Sequence, residues 1–191
     1  MLALPLILLA ALGAAPGTHK DLPVLHVIRE ATLSPSYSCQ RESPLRYNNT
    51  ALFLTEYGRR RNSPDLLFNG VCDSPDDFQV STAGDDMSLI ADLGKDVRLE
   101  DVSAHKAFRV PSVARPEAYS AFQSRVPVVE GHTYAVLVNK DDNRGLFLIQ
   151  VVAHEPNKEV VLRYAVKAYA WHDIGQRAAG FDWTKPSVAQ Q

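Results

Sequence analysis

Cysteine is scarce in this chain. There are two, Cys39 and Cys72. Neither has a C-x-x-C partner, so the local spacing of redox and zinc motifs is missing. Charge of one sign is not in excess either. The net charge is −2, and no long basic face suggests nucleic acid as a partner. No segment carries a long helical period, and there is no internal repeat, low-complexity tract or linker. Catalytic signatures are missing too. The chain has no G-x-S-x-G elbow, no S-x-x-K, no H-E-x-x-H and no glycine-rich phosphate loop.

What is present begins with the leader, MLALPLILLAALGAAPG. The apolar stretch Leu2 to Leu12 is shorter than the roughly 20 residues that span a bilayer. Small residues follow it, as at a secretory cleavage site. Pro5 and Pro16 argue against a buried helix. The expected organisation is a signal peptide over 1–17, one β-sandwich domain over 18–174, and a C-terminal tail over 175–191. The expected location is therefore secreted or periplasmic, with no membrane span in the mature protein. In that setting the two cysteines most simply form one disulfide, Cys39–Cys72. Asn48-Asn49-Thr50 is a glycosylation sequon on Asn48, meaningful only in a glycosylating host.

Strand signals dominate the remainder. Runs rich in Val, Leu, Ile, Phe and Tyr are separated by Pro, Gly, Asn and Asp clusters. They predict strands near 24–33, 50–57, 65–69, 77–82, 87–93, 126–129, 132–139, 145–153 and 159–170. Short helical turns are expected near 99–107 and 116–124. Folding 77–93 about Ala83 to Asp86 makes a hairpin with Val80 against Leu89 and Phe78 against Ala91. One face is then apolar and the other polar, Ile90 excepted. Residues 132–170 read as a three-strand meander. Its first two strands are apolar on both faces and so central. The third alternates, placing Arg163, Lys167 and Tyr169 on a wet face. Burying the central strands on both faces needs a second layer. The fold class is therefore all-β, an antiparallel β-sandwich of jelly-roll or Ig-like kind.

Acidic residues cluster from Asp73 to Asp101, nine against two bases, Lys95 and Arg98. Within that stretch Gly84-Asp85-Asp86 pairs two carboxylates, and Asp73, Asp76 and Asp77 make another acidic loop. Asn139, Asp141 and Asn143 alternate like the first ligands of a calcium loop. The glycine then falls one residue late, and Gln150 stands where the closing glutamate would be. The plainer reading of Asp141-Asp142-Asn143 is a tight hairpin turn, with Gly145 completing it. The metal candidates are thus Asp85, Asp86, Asp141 and Asp142, with calcium the ion they would suit. No other cofactor is expected. The meander also brings His132, His154 and Glu155 to one end, and Asp141, Asp142 and His172 to the other. Both sets have zinc-binding residue types without zinc-binding local spacing. Arg59-Arg60-Arg61 reads as a solvated loop.

Tyr169 and Trp171 are the candidates for ligand stacking, because exposed aromatics on a sheet face bind sugars or proteins. The function expected from these features is an exported, non-catalytic β-sandwich that binds an extracellular or periplasmic ligand or protein partner. The alternatives are a metal-dependent secreted enzyme, using Ca or Zn, and a structural envelope or matrix protein.

Overall fold

The computed structural model describes residues 23–36, 49–70, 74–81, 88–102, 122–140 and 143–171. Two antiparallel sheets pack face to face, so the chain is the all-β sandwich that its alternation predicts. The larger sheet holds β1 (Arg29–Leu33), β5 (Leu89–Lys95), β7 (His132–Asn139), β8 (Asn143–Glu155) and β9 (Glu159–Trp171), in the order β1-β9-β8-β7-β5. The smaller holds β2 (Ala51–Leu52), β3 (Leu66–Asn69), β4 (Asp77–Gln79) and β6 (Arg125–Pro127), in the order β2-β3-β4-β6.

The meander β7-β8-β9 forms with strand ends within two residues of expectation, and β8 lies at the centre of its sheet. Two-faced apolarity explains that position. Val136, Val138, Phe147 and Ile149 face the second sheet in the main core. Ala135, Leu146 and Leu148 face the other way, under Leu99, Val102 and Phe122. The outer cover comes from the chain after β5, so the larger sheet is buried on both sides. Backbone hydrogen bonds stitch the open sides of the sandwich. Ile90 and Gln123 exchange both bonds at 2.8 Å, and on the other side Ser34 N reaches Asn49 O at 2.6 Å.

The expected hairpin over 77–93 does not form. β4 pairs with β3 and β6, whereas β5 pairs with β7 in the other sheet. Among the described residues, one backbone bond joins the two segments, Ser88 N to Ser81 O at 3.1 Å. Alternation says which face is buried and not which neighbour buries it. Ile90, the misfit of the local pairing, is the reason. A local hairpin would expose it, whereas the observed sheet buries it completely.

The strand expected over 50–57 ends at Leu52 and turns into a short helix, α1 (Glu56–Arg60). Thr55 caps it, its Oγ1 accepting Gly58 N at 3.0 Å. Arg59 and Arg60, expected in a loop, form its last turn, where cations suit the helix dipole. The helical turns expected at 99–107 and 116–124 lie largely outside the described residues. Residues 99–102 are turn and coil.

Candidate functional site

Three β-bulges in the larger sheet decide where its ionisable side chains point. In β8, Val151 pairs with Leu162 but Ala153 pairs with Val161, so Val152 is one residue too many. Leu146 and Leu148 face outward in β8, and strict alternation would send position 154 the same way. The extra residue reverses that and turns His154 toward the second sheet. There the imidazole meets Phe68 edge-on, with centroids 6.0 Å apart and planes at 83°. Its Nε2 lies 2.8 Å from Oδ2 of Asp76, and the pair is nearly closed to solvent.

Asp76 sits just before β4 and is itself buried. Its Oδ2 also accepts Asn157 N, from the β8–β9 turn, at 2.7 Å. Its backbone carbonyl accepts Val128 N at 2.8 Å, and Glu130 Oε2 accepts His154 N at 3.1 Å. Through its carboxylate and its carbonyl, Asp76 thus ties its own segment to Val128 and to the His154–Asn157 turn at one end of the sandwich.

The second bulge lies in β5. Asp92 pairs with Tyr134 but Gly94 with Thr133, so Leu93 is the extra residue. Gly94 adopts φ 91°, which suits glycine, and its N–H donates to Asp92 Oδ1 at 2.7 Å. The Asp92 carboxylate faces Nδ1 of His132 at 2.9 and 3.1 Å. This second histidine–aspartate pair is more open, at 25% and 35% side-chain exposure.

An aromatic row runs across the core from one histidine to the other. Phe68 and Phe78 lie 6.2 Å apart, Phe78 and Tyr134 5.4 Å, and Tyr134 and His132 6.5 Å. The Tyr134 hydroxyl donates to Pro127 O at 3.0 Å and accepts Val129 N at 2.9 Å. Burial pushes its pKa well above the ordinary tyrosine value, with the Asp92 carboxylate adding to the shift.

The third bulge lies in β9, where Leu146 pairs with Ala168 and Phe147 with Val166, leaving Lys167 as the extra residue. Lys167 is therefore not on a wet face. It is buried, and its Nζ donates to Leu99 O at 2.6 Å. Burial pulls its pKa below the ordinary lysine value. Past the bulge the faces exchange, so Tyr169 packs half-buried against the main core and Ala168 against the outer cluster. Trp171 pairs through its backbone with Asn143, and its side chain is outside the description.

At the other end of the core, Lys140 reaches Asp65 Oδ1 at 2.7 Å, and both are buried. The same amine donates to Ser63 O at 2.9 Å, Ser63 Oγ at 3.1 Å and Pro64 O at 2.8 Å. Asp65 Oδ2 accepts Leu54 N at 2.5 Å. Gly145, expected in the turn, pairs with Val138 inside β8. A Cβ there would stand 2.8 Å from Leu54 Cδ1, so the glycine serves a close approach.

The zinc set His132, His154 and Glu155 does not assemble. Each histidine turns to a different aspartate, because the Val152 bulge rotates one of them. Asp76 and Asp77 also part company. Asp77 accepts Asn69 Nδ2 at 2.8 Å and faces Arg125 at 3.4 Å. Among the described residues, no group of three or more His, Cys, Asp or Glu side chains is placed to hold a metal. Asp85, Asp86, Asp141, Asp142, His172, Asn48, Cys39 and Cys72 lie outside those residues. Among the described residues, no helix is long and apolar enough to cross a membrane.

Sequence reasoning missed the partners Asp76 and Asp92, and no local spacing pointed to them. Comparison with known proteins adds no further constraint. No family model, curated protein or solved structure matches this chain.

Proposed function

We propose that the protein is an exported, non-catalytic β-sandwich that binds an extracellular or periplasmic partner. One observation carries the reading. His132, His154 and the buried lysines Lys140 and Lys167 are each taken up by a carboxylate or carbonyl that braces the fold. A catalytic or metal-binding constellation would instead aim such groups at a shared point. Two of the few large apolar side chains exposed among the described residues lie close together. Val129 and Val152 are both exposed, and both lie within two residues of the bond from Gly131 N to Val151 O. A bulge that tucks a histidine inward and holds a valine outward suits a protein contact.

The test is site-specific photocrosslinking in the cell that makes the protein. A benzoylphenylalanine at position 152 should yield one discrete crosslinked product, and one at position 30, on β1, should not. Equal, diffuse crosslinking from both positions would remove the reading.

The disulfide Cys39–Cys72 belongs to the same proposal. Ser36 N donates to Phe68 O at 2.6 Å, and Ser36 Oγ donates to Asn69 Oδ1. Each cysteine follows this anchored contact by three residues, Cys39 after Ser36 and Cys72 after Asn69. Closing that loop would contribute about 3 to 4 kcal/mol on the chain-entropy model. Free thiols titrated in the denatured, unreduced protein would overturn it.

A further inference from the structure

We infer that Asn69-Gly70 is a spontaneous deamidation site that the native fold holds shut, so that the modification records unfolding. Asparagine followed by glycine is the dipeptide most open to this reaction, because glycine offers no side chain to hinder attack. The pair occurs once in the chain. The Gly70 backbone nitrogen attacks the Asn69 side-chain carbonyl carbon and loses its proton. The bond to the side-chain nitrogen breaks, and ammonia leaves. Water then opens the cyclic imide at either carbonyl, giving aspartate or isoaspartate. The net change consumes one water and releases one ammonia, with no other reactant.

The fold opposes each part of this. Asn69 is 7% exposed and closes β3, where it pairs with Asp77 in an extended ladder. Its Nδ2 donates to Asp77 Oδ1 at 2.8 Å and to Gln79 Oε1 at 3.1 Å. Its Oδ1 accepts the Ser36 hydroxyl. Carbonyl and amide are thus both held, and the side chain cannot swing onto Gly70 without breaking all three bonds. Gly70 is buried as well.

The product is incompatible with that site. Deamidation replaces a donor to Asp77 by a second carboxylate at the same place, with Arg125 as the cation already facing Asp77 at 3.4 Å. Two buried carboxylates in contact cannot both ionise without cost. A chain that has once been modified therefore refolds poorly, and the reaction makes transient unfolding irreversible.

A synthetic peptide spanning residues 65–71 supplies the unhindered rate. Mature protein is held at mildly alkaline pH, native in one arm and in urea in the other, and Asn69 is followed by peptide mass spectrometry beside the synthetic peptide. The expected result is conversion of Asn69 in urea, and native conversion slower by about 10³-fold or more, the fraction of time a stable domain spends open. The peptide should convert at the urea-arm rate with or without urea. Asn69 converting in the native arm at its urea rate would overturn the proposal. Asn69→Asp should lower the melting midpoint by roughly 10 °C, or leave no cooperative melt. An unchanged midpoint would overturn the claim that the product is excluded.

Discussion

His154–Asp76 and His132–Asp92 are the same chemical pair in two settings. Each lies beside a bulge, and each histidine has one ring nitrogen against a carboxylate. The first is sealed, with Asp76 also holding Asn157 N, and the second is open to water. Burial makes a hydrogen bond costly to break, because the group left behind cannot turn to solvent. The sealed pair is therefore a structural clasp, and the open one an ornament of the sheet rim. A similar contrast holds for the buried lysines. Lys140 has a carboxylate and three further oxygens, and Lys167 has one carbonyl.

The largest expected effect comes from breaking the Lys140 cluster. Asp65→Ala leaves a buried ammonium facing neutral oxygens, and it orphans Leu54 N. A loss of about 3 to 5 kcal/mol is expected in chemical denaturation. A loss below about 1 kcal/mol would mean that Lys140 escapes to solvent.

Gly145→Ala comes next. The added methyl would meet Leu54 at 2.8 Å and Ala168 O at 3.3 Å, so overpacking should cost about 1 to 3 kcal/mol. Leu54→Ala in the same chain should restore part of it. Failure to rescue would show that the strain lies elsewhere.

The two buried groups with shifted pKa values should act in opposite senses. Burial holds Lys167 below the lysine reference of 10.5, so the unfolded chain binds more protons in the window beneath it. Its contribution to stability therefore rises as the pH climbs toward 10.5. Burial holds Tyr134 above the tyrosine reference of 10.0, so the folded chain binds more protons above that pH, and stability falls there. Lys167→Met should flatten the rise and Tyr134→Phe the fall, in midpoints measured from neutral to alkaline pH. An unchanged profile in either variant would show that its group titrates normally.

The smallest effect expected is at the rim. Asp92→Ala should cost less than about 1 kcal/mol from the ion pair itself, since exposed pairs contribute little.

Much of the fold was legible, and the reason is periodicity. The runs in 132–170 carry a two-residue period and two-faced burial, which set both the meander and its central place. Long-range pairing was less legible. Val80 and Leu89 suited each other as well as their true neighbours did, and only Ile90 spoke against the hairpin. The site was least legible, because each bulge is a single extra residue with no mark of its own. Val152, Leu93 and Lys167 look like ordinary strand residues, yet each reverses the faces beyond it. The wet face assigned to Lys167 and Tyr169 was wrong for that reason. The helix at 56–60 did carry a signal, a threonine before Glu56 and arginines at its end.

The most direct test is a pair of double-mutant cycles by urea denaturation, one on His154 and Asp76 and one on His132 and Asp92, each residue replaced by alanine. The sealed pair should show a coupling of about 1.5 to 3 kcal/mol. The open pair should show under about 1 kcal/mol. Equal couplings would contradict the view that the Val152 bulge builds a buried clasp, and a larger coupling at the rim would invert it.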